Sequence, residues 1–319
     1  MQATTSCQLS LGPISYYWPK QQVLDFYQQL QSSPISRIYL GETVCRKRNE
    51  LRLGDYLDLG RELQQQGKEV LLSTMTLLET QNEVLQLTKA VDNGELQIEA
   101  NDFAAVQLCM ERKLPFVAGP SLNIYNEDAL ELLLNQGMSC WVPPIELSQQ
   151  RLEAVLNSSK IANRREQFEL EIFALGHIPL AWSARCFTAR SLNRSKDNCQ
   201  LCCLDYPSGR LVNSQEGEPL FVLNGIQTQS GKRHNLINDL PSLMPMAQRL
   251  RLSPQAKDMG LWIERFAKGI ERLATGQDGL TQGLPSTELL WPLEANDCNG
   301  YWRQLAGMEA ILSAEHQDD

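Results

Sequence analysis

Histidine is scarce in this chain, with three in 319 residues, and neither Gly-x-Ser-x-Gly nor His-Glu-x-x-His occurs. Those absences exclude the nucleophile elbow of serine hydrolases and the metal-binding helix of the zincins. No apolar run approaches the length of a membrane-spanning helix, and residues 1–6 lack both the basic and the apolar regions of a secretory signal. A soluble, cytoplasmic protein is the expectation. Basic residues are outnumbered, 29 Lys and Arg against 38 Asp and Glu, and a net charge of −9 would repel a phosphate backbone. Nucleic acid is therefore excluded as a general partner.

What the chain does have is enough apolar residue, 42%, to bury one large α/β core. Short β-rich runs alternate with amphipathic stretches: the runs fall at 9–17, 37–42, 69–75, 96–100, 116–119, 140–142 and 168–173. Helices are expected at 19–30, opened by a proline suited to a first turn, and at 82–91, 103–112 and 128–136. Asp102 is placed to cap the third of these, and Gly137 follows the fourth as its C′ residue. An eighth strand fits either 220–223 or 249–252. Seven or eight such repeats predict a (β/α)8, TIM-barrel-like α/β fold, complete or somewhat irregular. The barrel domain is expected over 1–252, including a loop at 181–218, with a C-terminal helical extension and tail over 253–319. Within that extension we expect a helix at 260–273, a Gly-rich linker near 276–283 and a frayed acidic tail at 315–319.

Nine cysteines is an odd number, and in a reducing compartment thiols serve as packed hydrophobes, metal ligands or catalysts more often than as disulfides. Cys186, Cys199, Cys202 and Cys203 fall within eighteen residues. Thiolate is a soft ligand that suits zinc or iron–sulfur centres. Cys202 and Cys203 are adjacent, so both ligating one cluster would strain the backbone and a fourth ligand is needed elsewhere. Cys45 is the best placed, three residues past a predicted strand, at the sheet edge where barrels carry their chemistry. Arg46, Lys47 and Arg48 follow it, and the later loop carries Arg185, Arg190, Arg194, Lys196 and Arg210 against Asp197 and Asp205. This basic island suits an anionic centre or an anionic ligand. The spacing matches neither a zinc ribbon nor a ferredoxin pattern, and it leaves zinc and iron–sulfur both standing.

Longer stretches carry a resemblance. Residues 39–45 (YLGETVC), 112–119 (RKLPFVAG), 176–190 (GHIPLAWSARCFTAR), 199–203 (CQLCC), 221–227 (FVLNGIQ) and 297–303 (DCNGYWR) resemble the UbiV family. That family is a branch of the collagenase-like U-type peptidases, whose Glu-x-Phe-x-x-Gly signature stands here as Glu171 to Gly176. In most of the larger family a cysteine follows that glycine closely, whereas here Cys186 comes ten residues later, as fits the UbiV branch. The resemblance implies a 4Fe-4S cluster held by Cys45, Cys186, Cys199 and Cys203, with Cys202 a bystander. It also implies a heterodimer with a UbiU-like protein, a UbiT-like lipid carrier, and oxygen-independent hydroxylation of the aromatic ring of ubiquinone precursors under anaerobic conditions. Prephenate would be the hydroxyl donor. Two alternatives from other classes are a non-catalytic electron-transfer or structural subunit and, from the old family name, a peptidase.

Further residues sit at predicted strand ends: Glu42, Glu99, Asn101, Asp102, Asn123, Glu146 and His177. For Asp102 a helix cap is the simpler role, and for His177 a hydrogen-bonded structural role competes with proton donation. Cys7, Cys109 and Cys140 lie in apolar sequence and are expected to be packed thiols, while Cys298 ranks behind the four proposed ligands. Trp18, Trp141 and Trp302 would fill the core or flank a ring, with core the simpler expectation.

Overall fold

A computed structural model describes residues 7–275 and 291–311; the expected linker near 276–283 and the acidic tail lie outside these. In chain order the strands are β1 (Gln8–Leu11), β2 (Ile35–Leu40), β3 (Glu69–Ser73), β4 (Gln97–Ala100), β5 (Phe116–Ala118), β6 (Met138–Trp141), β7 (Glu169–Trp182), β8 (Arg210–Asn213), β9 (Pro219–Asn224), β10 (Gln227–Asn235), β11 (Arg249–Leu252) and β12 (Asp297–Cys298). The helices are α1 (Lys20–Gln29), α2 (Leu53–Gln65), α3 (Gln81–Val91), α4 (Phe103–Glu111), α5 (Glu127–Asn135), α6 (Gln149–Leu156), α7 (Phe187–Arg190), α8 (Leu240–Leu243) and α9 (Met259–Thr275).

Strands β1 to β7 pair in sequence order and all in parallel, and β11 closes the ring by pairing in parallel with both β7 and β1. The expected (β/α)8 barrel is therefore complete. Its eighth strand is Arg249–Leu252; the competing run 220–223 lies in β9, which pairs antiparallel with β10 and β8.

Local chemistry starts the helices where the strands end. Thr80 and Glu83 form a reciprocal capping box on α3, and Asp102, Asn126 and Ser148 accept the N–H of Ala104, Ala129 and Arg151. Capping is the role found for Asp102. Leu9, Leu11, Ile38, Leu40, Val70, Leu72, Ile98, Leu250 and Leu252 face the helices and share one core with Trp262 and Phe266 of α9. Each buried side chain of this kind contributes roughly 1.5–3 kcal/mol.

The opposite faces of the strands fill the lumen, and here the packing departs from the branched aliphatic layers usual in such barrels. Arg37 and Arg249, near the strand starts, share the carboxylates of Glu69 and Glu169. At mid-height the fully buried Glu171 accepts hydrogen bonds from Ser10 Oγ (2.7 Å), Tyr39 OH (2.6 Å), Arg251 Nε (2.6 Å) and Arg37 Nη1 (3.3 Å). Above it Arg251 Nη1 donates to Glu99 at 2.5 Å. Cys140 lies in this polar lumen, its sulfur 3.7 Å from Arg37 Nη1, beside a small apolar cluster of Tyr39, Leu71, Val117 and Val142. Its setting is thus mixed, not the wholly apolar one its sequence neighbours suggest.

β7 is the longest strand, and it leaves the barrel at Gly176 to pair antiparallel with β10. Gly176 sits at φ +141°, and a Cβ there would lie 2.5 Å from Ser253 Cβ and 2.8 Å from Phe173 Cζ. Only glycine meets both conditions. Strands β8 to β10 and the end of β7 thus form a small sheet beyond the C-terminal mouth, with the cysteine-rich segment between β7 and β8.

Candidate functional site

Three loops bring the thiols to the mouth. Cys45 follows β2, where Glu42 Oε1 accepts the N–H of Val44 (2.8 Å) and Cys45 (3.0 Å) and so fixes that turn. Cys186 follows β7 and caps α7, its sulfur accepting the N–H of Ala189 at 3.4 Å. Between Cys199 and Cys202 the chain turns through Gln200 and Leu201, at φ 51° and 52°, a left-handed pair that non-glycine residues adopt only under constraint. Beyond it the 3-10 turn Cys202–Asp205 separates the adjacent thiols: Cys202 is buried and Cys203 half-buried. Cys45, Cys186 and Cys199 are also half-buried.

Arg48 joins the pieces. Its side chain is buried and donates to Ser15 O (2.6 Å) and to Asn224 Oδ1 (2.7 Å), with Glu42 at 3.6 Å and the Tyr17 ring beneath it. Its positive charge also favours the thiolate of Cys203. The loop is tied down at two further points, by Lys47 Nζ donating to Lys196 O (2.7 Å) and Trp18 Nε1 donating to Pro207 O (2.7 Å). The basic island is thus largely engaged within the protein, since Arg46 pairs with Glu83 and Lys196 with Glu79.

The fields of the thiols show which are neighbours. Cys186 acts on Cys45, Cys202 and Cys203, Cys45 acts on Cys203, and Cys199 acts on Cys202. Burial pushes the Cys203 thiol up to about 11 against the opposing pull of Arg48, and raises Cys45 and Cys202 as well. Burial likewise raises Glu42, with Arg48 opposing. Among the described residues no group of three or more His, Cys, Asp or Glu side chains stands in metal-ligating positions. The thiols suit a soft metal centre in number and type but are not drawn together around one point.

The other candidates divide between mouth and scaffold. Glu99, Asn101 and His177 line a cleft at the barrel mouth. His177 Nδ1 lies 2.8 Å from Ser230 O, and burial lowers the ring's affinity for a proton. Glu146 accepts from Tyr125 OH, and Asn123 ends a 3-10 turn at φ 55°. Cys7, Cys109 and Cys298 are buried apart from the cysteine-rich segment between β7 and β8, Cys298 in the short pairing of β12 with β10. Trp18, Trp141 and Trp302 are all buried. The sequence places Arg48 in the basic island without marking it as a buried tie, and Arg251, in a four-residue strand, looks like a surface residue. The one available signal was Glu171, the first residue of the family signature and the centre of the lumen network.

No helix among the described residues is long and apolar enough to cross a membrane. The model of peptidase family U32 matches residues 26–261. Among solved structures the chain is similar to the U32 peptidase Mk0906, at 11% identity and TM-score 0.43 over 81% of this chain and 96% of that one. It is also similar to dihydropteroate synthase from Thermus thermophilus, at 12% identity and TM-score 0.43 over 85% of this chain and 95% of that one. Likenesses this distant carry no functional information.

Proposed function

This chain belongs to peptidase family U32, and from that premise we propose that it is the 4Fe-4S subunit of a heterodimeric, UbiU–UbiV-like hydroxylase. The reaction would be oxygen-independent hydroxylation of the aromatic ring of ubiquinone precursors, with prephenate as hydroxyl donor. The observation that supports the cluster is the mutual proximity of half-buried Cys45, Cys186 and Cys203 with cationic Arg48 beside them; Cys199 joins them through Cys202 and would have to move in to complete the set. A 4Fe-4S cluster bound by these four would supply one-electron chemistry there. The chain's own contribution is to position: Glu42 orients the Cys45 turn, Arg48 offsets thiolate charge, and the left-handed turn at Gln200 and Leu201 directs Cys199 and Cys203.

A peptidase is the weaker reading, since the chain has neither Gly-x-Ser-x-Gly nor His-Glu-x-x-His. The test of the cluster is anaerobic purification with iron and sulfide assays and paramagnetic resonance. We expect about four of each per chain. Alanine at Cys45, Cys186, Cys199 or Cys203 should remove most of the iron and at Cys202 should not. Zinc without iron, or equal losses at Cys202 and none at Cys203, would overturn the assignment. The heterodimer is tested by co-purification with a UbiU-like protein, and a fully active lone chain would refute it.

A further inference from the structure

Cys202 has no part in the proposed ligand set, yet its placement is specific. The chain turns between Cys199 and Cys202 with the Cys202 N–H donating to Cys199 O at 3.2 Å, and Gln200 and Leu201 both stand at positive φ, 51° and 52°. A hydrogen-bonded turn of this kind brings its first and fourth Cα atoms within about 7 Å. Disulfides span about 4.4–6.8 Å between Cα atoms, so this pair can be bridged with little movement of the backbone. The thiols whose fields reach Cys202 are Cys186 and Cys199, whereas Cys203 feels Cys45 and Cys186 most strongly.

Other pairings are less well placed. Cys202 and Cys203 are adjacent in a 3-10 turn, where successive side chains point about 120° apart, and only Cys202 is buried. Cys186 is held by its own loop, its sulfur accepting the Ala189 N–H at 3.4 Å at the start of α7. Cys199 is half-buried beside exposed Gln200, so a small oxidant meets it before Cys202. We propose that Cys199 and Cys202 form a reversible disulfide, with Cys199 the attacking thiol and Cys202 the resolving one. The oxidant is a small-molecule disulfide such as oxidised glutathione. The Cys199 thiolate attacks one of its sulfurs and expels the first glutathione thiolate, and the Cys202 thiolate then displaces the second from the mixed disulfide. Two protein thiols lose two protons and two electrons, and the oxidant takes them up as two thiols. Resting on the four-ligand reading above, the bridge has a consequence for the cluster. It holds Cys199 on Cys202 and away from Cys45, Cys186 and Cys203, so the oxidised chain offers three ligands and accepts a cluster only after reduction.

The test uses the full-length chain, reduced and free of metal, equilibrated anaerobically in glutathione buffers of rising oxidised fraction, then acid-quenched, alkylated and cut with trypsin. Cys199, Cys202 and Cys203 share the tryptic peptide 197–210, and fragmentation in the mass spectrometer shows which two are joined. We expect a Cys199–Cys202 bridge with Cys203 alkylated, half-formed at an oxidised fraction about tenfold or more below that needed for any other pair. Cys203→Ala should keep the bridge and Cys202→Ala should lose it, leaving a glutathione adduct on Cys199; should either variant not fold, the peptide map of the unaltered chain reads the same pairing. Cobalt(II), followed by its thiolate charge-transfer absorption, reads the consequence: the oxidised chain should bind it about tenfold or more weakly than the reduced one, and reduction followed by desalting should restore binding. A predominant Cys199–Cys203 or Cys186–Cys202 bridge, or glutathione adducts with no bridge within the chain, would overturn the proposal. Equal cobalt affinity in the two forms would overturn the consequence for the cluster. Failure of the reduced chain to bind cobalt would overturn the ligand set and that consequence with it, while the linkage is read without metal and is decided separately.

Discussion

Replacing Glu171 by Gln keeps the side chain's size and removes its charge from the centre of the lumen. The amide nitrogen must take the place of one carboxylate oxygen. It then confronts either Ser10 Oγ and Arg251 Nε or Tyr39 OH and Arg37 Nη1, all of them donors. Breaking a buried ion pair from one side costs about 3–5 kcal/mol. The titration of Glu171 leads to a similar figure. Burial alone would raise its pKa, but Arg251, Arg37 and the Tyr39 hydroxyl bring it down from 4.5 to about 2. At about 1.4 kcal/mol per pH unit this corresponds to about 3 kcal/mol of stability at neutral pH. Because the folded-state value is the lower one, that contribution is present above the unfolded value of 4.5 and is lost as pH falls toward about 2. Urea unfolding of the two proteins at a series of pH values measures it. We expect a gap of about 3–5 kcal/mol near neutrality that narrows through the acid range. A gap below about 0.5 kcal/mol, the size of an ordinary surface substitution, or one that does not depend on pH, would refute the reasoning.

Gly176→Ala should destabilise the chain by about 2–4 kcal/mol, because both the backbone angle and the contacts with Ser253 and Phe173 oppose a Cβ; an unchanged thermal midpoint would contradict this. Arg48→Leu leaves the buried Asn224 Oδ1 without its donor, at about 1–3 kcal/mol, while Ser15 O keeps the Asn224 amide. Limited proteolysis should then cut within 183–209 before the barrel, and cleavage in the reverse order would argue against Arg48 as the tie. For the proposed reaction, prephenate labelled with heavy oxygen at its hydroxyl should pass the label to the ring in the absence of oxygen gas. Mass spectrometry reads this directly, and label arriving from water would count against the donor.

The barrel was legible because most of its strands obey simple rules: short β-rich runs separated by helices with visible caps, such as Asp102 before α4. The eighth strand was legible only as one of two runs, 220–223 or 249–252, for a reason found in the lumen. Arg249-Leu-Arg-Leu252 alternates in the way of a strand with one wet face, yet Arg249 and Arg251 turn inward to Glu69, Glu169, Glu171 and Glu99. Charge on a strand normally signals solvent, and only the partners on other strands reveal that this charge is buried. The thiols could be grouped from their spacing and strand-end position. Arg48 could be placed in the basic island but not recognised as a tie, because Ser15 and Asn224, which it joins, are 33 and 176 residues away along the chain.

The ionic lumen also makes barrel closure selective. In a lumen of branched aliphatic side chains, a closing strand shifted by one residue could still fill the space with apolar groups. Here such a shift of β11 would turn Leu250 and Leu252 inward and carry Arg249 and Arg251 out among the helices, leaving Glu99 and Glu171 without their guanidinium partners. The arginines of the last strand thus act as a key that only the native alignment accepts, and a misaligned ring has no stable way to close.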